Sequence, residues 1–224
     1  YSTRGLGMDY IQDAEVRTAV CRAMNIMNSE KSADFSAHMT PAALIPVQTP
    51  EEGIAELEFA VGELGMKTIR VNGDVRTANP KITELAPELA KHTRWTHSLA
   101  VDAPFDYDPF WAKCVELKVG PACHSSDRGG GHFRSSPSNY VFNHLGGFAA
   151  GSEFFCRSLF FGGVPKRFPE LNFAFLEGGV GWACNLYHNI YEHWERRNTH
   201  AMAEFLDPRT LDVELLAEMA EAYA

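Results

Sequence analysis

Residues 41–73 have the sequence PAALIPVQTPEEGIAELEFAVGELGMKTIRVNG, in which two short apolar runs lie on either side of one helical repeat. The first run ends at Gln48 and the second at Asn72, and each has the length of a buried strand. Between them, Thr49 and Pro50 are typical of a helix start and are followed by two acids. This order predicts two parallel strands joined by a right-handed crossover through a helix.

The alternation of helix and strand continues on both sides of this stretch. Helices are predicted at 12–30, 49–64, 82–91, 106–118, 143–162 and 180–198, and strands at 41–47, 66–71, 119–123 and 171–176. A Ser/Gly/Arg-rich loop is predicted at 125–141, and a tail helix follows Asp207. Strands that are apolar throughout are expected where helices cover both faces of a parallel sheet, which gives an α/β fold.

The number of strands favours part of a TIM barrel. No glycine-rich turn of the dinucleotide-binding or phosphate-binding kind follows any strand, so a nucleotide-binding open sheet is disfavoured. A complete (β/α)8 barrel has eight strands in about 250 residues, whereas four predicted strands use nearly all of these 224 residues. We therefore predict a single domain over residues 1–224 that forms the middle of a barrel, and we expect the chain to be incomplete at both ends.

The composition argues against several classes of partner. With 20 basic and 29 acidic residues the formal net charge is -9, which disfavours binding to nucleic acid. No basic run indicates an anionic membrane surface, and no apolar stretch is long enough to span a bilayer. The cysteines are scattered, form no C-x-x-C pair and fit a reducing cytoplasm. They are Cys21, Cys114, Cys123, Cys156 and Cys184.

Polar side chains stand at the predicted strand ends, where barrel enzymes place their active sites. They are Gln48, Asn72, His124 and Glu177. An imidazole at such a position could bind a metal or move protons. Glu177 precedes two glycines that allow close backbone approach, and burial of its carboxylate would suit a general acid or base. The alternatives are a histidine hydrogen-bonded at its strand end and a carboxylate that caps the next helix.

The loop after His124 carries candidate substrate-binding residues. Arg128, His132 and Arg134 are interleaved with glycines and could bind a substrate carboxylate, for which arginine has a matching bidentate geometry. Asn143 and His144 close the loop and could line the same pocket. Solvated side chains are the alternative for all of them.

Three segments resemble one known family. Residues 162–182 (GGVPKRFPELNFAFLEGGVGW), 108–117 (DPFWAKCVEL) and 121–124 (PACH) are similar to the amidohydrolase-related family typified by aminocarboxymuconate-semialdehyde decarboxylase. The resemblance implies a (β/α)8 barrel, often homodimeric, that holds one divalent metal, commonly zinc. It makes His124 the metal ligand of the fifth strand. It also places Glu177 where the family usually has a histidine acid/base, while the first-strand and last-strand ligands would lie outside this chain.

These observations together predict a metal-dependent hydrolase or carboxy-lyase acting on a small carboxylated substrate. His124 would hold the metal and Glu177 would move protons. One alternative keeps the barrel without the metal, as in related lactone hydrolases. The other is an inactive barrel fragment that serves as an assembly module.

Overall fold

The structure, a computed structural model, describes residues 7–90, 92, 93, 95–124 and 136–223. The chain divides into two compact units, Tyr1–Trp182 and Ala183–Ala224. No helix in the described ranges is long and apolar enough to cross a membrane. The single-domain organisation expected from the sequence stays a prediction.

Helices and short strands alternate along the first unit, and the described elements after Trp182 are helical. The α-helices among the described residues are α1 (Ala14–Ser32), α2 (Pro50–Leu57), α3 (Pro80–Leu85), α4 (Pro87–Ala90), α5 (Asp108–Glu116), α6 (Tyr140–His144), α7 (Gly147–Phe161), α8 (Val164–Arg167), α9 (Gly181–Arg197), α10 (Thr199–Phe205) and α11 (Val213–Tyr223). The strands are β1 (Ala42–Leu44), β2 (Thr68–Val71), β3 (Val75–Thr77), β4 (Trp95–His97), β5 (Pro121–Cys123) and β6 (Ala174–Phe175). Short 3-10 helices lie at Met8–Tyr10, Ala33–Phe35 and Pro208–Thr210, and α2 continues as a π-helix over Glu58–Glu63.

The main sheet contains the four predicted strands, all parallel, in the order β1-β2-β5-β6. Because this order follows the chain without reversal, it is the order of a barrel wall and not that of a doubly wound open sheet. The prediction of an α/β fold with about four parallel strands of a TIM barrel is confirmed. The observed strands are two to four residues long, shorter than the apolar runs that predict them.

A second, two-stranded sheet follows β2 and was not expected. Strands β3 and β4 pair antiparallel, with Arg76 opposite Thr96. The sequence predicts only a polar connection here, because α3 and α4 separate the two strands and no tight turn marks their pairing.

Two predicted helices begin at side-chain caps, and two others are divided. The Thr49 side chain caps α2, as the sequence predicts, and the Asp13 side chain caps α1. The helix predicted at 143–162 is wrong as one element, because Gly146 has φ +78° and separates α6 from α7. The helix predicted at 82–91 is also divided, since Ala86 precedes a proline and is extended.

Aromatic side chains hold the helices against the sheet. Phe110 and Trp111 of α5 and Phe155 of α7 are fully buried. The Trp111 ring meets Phe155 and Phe173 at centroid distances of 6.5 and 5.7 Å. This packing fixes both helices beside the strands whose carboxyl ends carry the candidate site.

Candidate active site at the strand ends

His124 is buried directly after β5. Its side chain is 6% exposed, and its backbone N–H donates to the Val71 carbonyl at 3.4 Å. The ring meets Phe148 edge-to-face at a centroid distance of 5.3 Å. The imidazole is therefore held by backbone and packing contacts at the carboxyl edge of the sheet.

Glu177 lies next to this imidazole, at the end of the adjacent strand. The distance between Glu177 Oε2 and His124 Nε2 is 3.4 Å, and the carboxylate side chain is 46% exposed. The Leu176 N–H donates to the Cys123 carbonyl at 3.0 Å and continues the pairing of the two strands. The structure thus joins one buried imidazole to one carboxylate that reaches solvent.

The backbone of Glu177 is strained. Its φ is +62°, in the left-handed region that residues with a β-carbon rarely adopt. Such conformations concentrate at functional sites, where the surrounding structure compensates their cost. The next residue, Gly178, has little room for a side chain. A Cβ there would lie 2.9 Å from Trp182 Nε1 and 3.3 Å from Ser152 Oγ.

A buried polar network lies at the end of the neighbouring strand β2. Arg70 donates from Nη1 to Asp9 Oδ2 at 2.5 Å, and from Nη2 to Asn72 Oδ1 at 2.6 Å and to the His124 carbonyl at 3.1 Å. Gln48 Nε2 donates to the Asp9 carbonyl at 3.3 Å. Two of the predicted strand-end residues, Gln48 and Asn72, therefore belong to this network.

Sequence reasoning missed Asp9 and Arg70. Burial raises the pKa of the Asp9 carboxyl above its ordinary value, while the charge of Arg70 and hydrogen bonds oppose this change. An arginine inside the apolar strand Thr68–Val71 was an available indication, since a buried charge needs a partner. Asp9 gave no such indication, because an acid shortly before a helix is common.

The remaining predicted residues differ in their surroundings. The Asn143 amide accepts from the Ser136 N–H at 3.0 Å and donates to its carbonyl at 2.7 Å, which closes the end of the loop. His144 is exposed, and its ring lies edge-on to Phe148 at 5.1 Å, so that Phe148 contacts both histidines. Arg128, His132 and Arg134 lie outside the described residues. The substrate-binding roles of all five stay predictions.

The donor chemistry of the site fits a divalent metal. Imidazole nitrogen is a ligand for zinc and manganese sites alike. Across the ranges that the structure describes, no group of three or more histidine, cysteine, aspartate or glutamate side chains could hold a metal ion. His124 would therefore supply only one ligand of a larger set.

Sequence comparison identifies the family of this fold and site. A family model described as amidohydrolase matches residues 4–222. The chain belongs to the amidohydrolase family. A search of curated proteins gives no match. The family expected from residues 108–124 and 162–182 is confirmed.

The solved structures with a similar fold include several decarboxylases. The 2,6-dihydroxybenzoate decarboxylase from Rhizobium has 20% identity and a TM-score of 0.59, over 93% of this chain and 57% of that one. A dihydroxybenzoic acid decarboxylase from Polaromonas sp. JS666, with bound manganese and 2-nitroresorcinol, has 21% identity and a TM-score of 0.57, over 88% and 53%. The 5-carboxyvanillate decarboxylase from Sphingomonas paucimobilis has 14% identity and a TM-score of 0.56, over 87% and 52%.

These similarities show the barrel fold of this chain and the share of each solved structure that it matches. At such identities they carry no information about the substrate of this amidohydrolase. The chain spans between half and three fifths of the length of the structures it resembles.

Proposed function

We propose that this amidohydrolase chain carries the strand-end residues of a metal-dependent enzyme that decarboxylates, or else hydrolyses, a small carboxylated substrate. The observation that carries the proposal is the pair of His124 Nε2 and Glu177 Oε2, 3.4 Å apart at the ends of adjacent parallel strands. The positive φ of Glu177 supports a functional origin for this geometry. Decarboxylation is the first choice because the structural neighbours named above act in that way.

Each residue of the pair has a distinct role in the proposal. His124 would hold a divalent metal, which when bound supplies Lewis acidity toward a substrate carboxylate or carbonyl. In decarboxylation, the carbon that loses CO2 keeps the electron pair, and the Glu177 carboxyl would donate a proton to that carbon. In hydrolysis, the Glu177 carboxylate would instead accept a proton from the attacking water.

The metal and the substrate-binding residues complete the proposal. The family resemblance favours zinc, whereas the solved Polaromonas structure contains manganese. Arg128, His132 and Arg134 would bind the substrate carboxylate, and Asn143 and His144 would line the same pocket. A homodimer and a cytoplasmic location are proposed from the family resemblance and the cysteine pattern alone.

Metal analysis and activity assays of the full-length protein test this proposal. We expect His124→Ala to lose bound metal and at least about 100-fold in kcat/KM, because loss of a ligand should cost more than the 10- to 100-fold typical of residues that only orient a ligand. We expect Glu177→Gln to retain the metal and lose about 10²- to 10⁴-fold in kcat, the usual contribution of a general acid or base. Release of CO2 from hydroxybenzoates, compared with hydrolysis of lactones and amides, separates the reactions.

His200→Ala is the matched control. His200 Nε2 also lies near a carboxylate, Glu204 Oε2 at 3.1 Å, but on an exposed helix. We expect its metal content and activity to equal those of the wild type. Full activity in metal-free protein would contradict the proposal and favour a metal-independent lactone hydrolase. A protein without metal or activity that forms a defined oligomer would favour the assembly module.

A further inference from the structure

We propose that Arg70 is a positioning residue that fixes the backbone of His124. Arg70 lies on β2, which pairs directly with β5, and its Nη2 donates to the His124 carbonyl at 3.1 Å. This carbonyl belongs to the residue whose imidazole faces Glu177. The proposal rests on the proposed function only for the role of His124 as a ligand.

Three hydrogen bonds hold the Arg70 guanidinium. Its Nη1 bonds Asp9 Oδ2 at 2.5 Å, and its Nη2 is shared between Asn72 Oδ1 and the His124 carbonyl. The side chains of Arg70 and Asp9 are 9% and 0% exposed. A buried cation without its carboxylate would be strongly destabilised, so Asp9 compensates the charge of the guanidinium and holds it in place.

This arrangement couples the ends of three strands. Arg70 ties β2 to the residue after β5, and the Cys123 carbonyl accepts from Leu176 just before Glu177. The position of the imidazole relative to the carboxylate therefore depends on the position of the backbone at the carboxyl end of β5. Lysine would keep the charge, but its single ammonium lacks the fork that contacts Asp9, Asn72 and His124 together.

A second buried ion pair offers a matched control. Arg17 Nη2 lies 2.5 Å from Glu52 Oε1, and the two side chains are 5% and 15% exposed. Arg17 also donates to backbone carbonyls, those of Ile11 and Gln12. These contacts involve neither His124 nor Glu177. Arg17→Lys thus alters a comparable network that contacts none of Arg70, His124 and Glu177.

The experiment compares Arg70→Lys with Arg17→Lys in the full-length protein. Three quantities are measured: unfolding in urea, Zn²⁺ affinity by competition with a chelator, and the ring ¹⁵N chemical shifts of His124 in histidine-labelled protein. We expect both variants to lose similar stability. Only Arg70→Lys should lower Zn²⁺ affinity, by about tenfold as for other residues that orient a ligand, and move the His124 ring signals.

Equal changes in Zn²⁺ affinity and in the His124 ring shifts in both variants, or no change of either in Arg70→Lys, would overturn the proposal. If the wild type binds neither Zn²⁺ nor Mn²⁺, the proposed function fails, whereas the ring shifts of His124 still decide the positioning role. If Arg70→Lys does not fold, Asn72→Ala removes one acceptor of the guanidinium and keeps the ion pair. It should then produce a smaller ring shift and a smaller loss of affinity, and their absence would also overturn the proposal.

Discussion

Among the described residues, two histidine–glutamate pairs of nearly equal length lie in different regions. His124 Nε2 and Glu177 Oε2 are 3.4 Å apart on adjacent strand ends, and His200 Nε2 and Glu204 Oε2 are 3.1 Å apart on one turn of α10. The imidazole of the first pair is 6% exposed and that of the second is 87% exposed.

The comparison shows that interatomic distance alone does not identify a functional site. The pair on α10 follows from helical spacing, and water can replace either partner at little cost. The strand-end pair requires two strands that are distant in sequence. It also requires a buried imidazole ring and a left-handed backbone at the glutamate. Burial and backbone strain, which local structure does not require, distinguish the candidate site from the surface pair.

Gly120→Ala should separate the two strands that carry the His124–Glu177 pair. It should also cause the largest loss of stability among the glycine and glutamate substitutions. A Cβ at Gly120, immediately before β5, would lie 2.6 Å from the backbone oxygen of Asn172. Because a backbone atom cannot move aside easily, β5 and the segment leading to β6 should separate. We expect the free energy of unfolding to fall by about 1–3 kcal/mol, as for other overpacked sites. Urea denaturation measures it.

Gly62→Ala is the control for this substitution. Nothing lies within 4 Å of a Cβ built on Gly62, so we expect a change of less than about 0.5 kcal/mol or a slight gain in stability. Equal losses at Gly62 and Gly120 would show that the contact with Asn172 is not the cause.

Replacing each glutamate by glycine should change stability in opposite directions. Glu177→Gly removes the cost of a left-handed residue, so we expect a gain of about 1 kcal/mol. Glu204→Gly places a flexible residue in α10, and we expect a loss of about 0.5–1 kcal/mol. Thermal unfolding of both variants measures the difference. A loss of stability in both would mean that the Glu177 side chain stabilises the fold more than its backbone strains it.

The strand ends could be predicted because parallel strands end at a common edge. Short apolar runs located β1, β2, β5 and β6; His124 directly follows β5, and Glu177 comes two residues after β6. The left-handed backbone of Glu177 could not be predicted, since glutamate has no preference for that conformation and its neighbouring glycines already explain a turn.

Long-range pairing explains most of what the sequence did not indicate. Strands β3 and β4 are three residues each and are separated by two helices, so neither has a local hairpin pattern. Asp9 resembles an ordinary residue before a helix, yet its partner Arg70 lies 61 positions away. Only the charge of Arg70 within an apolar strand indicated a buried network. The sequence did not indicate which residues form it.

The smallest expected effect concerns the surface pair itself. Glu204→Gln removes the carboxylate beside His200 and keeps a side chain of the same size on α10. We expect the free energy of unfolding to change by less than about 0.5 kcal/mol, as for other pairs one helical turn apart. In 1 M NaCl, where the Debye length is about 3 Å, the difference from wild type should vanish. A larger effect that persists in salt would mean that the exposed pair also has a structural role. Side-chain exposure would then not distinguish the candidate site from the surface pair.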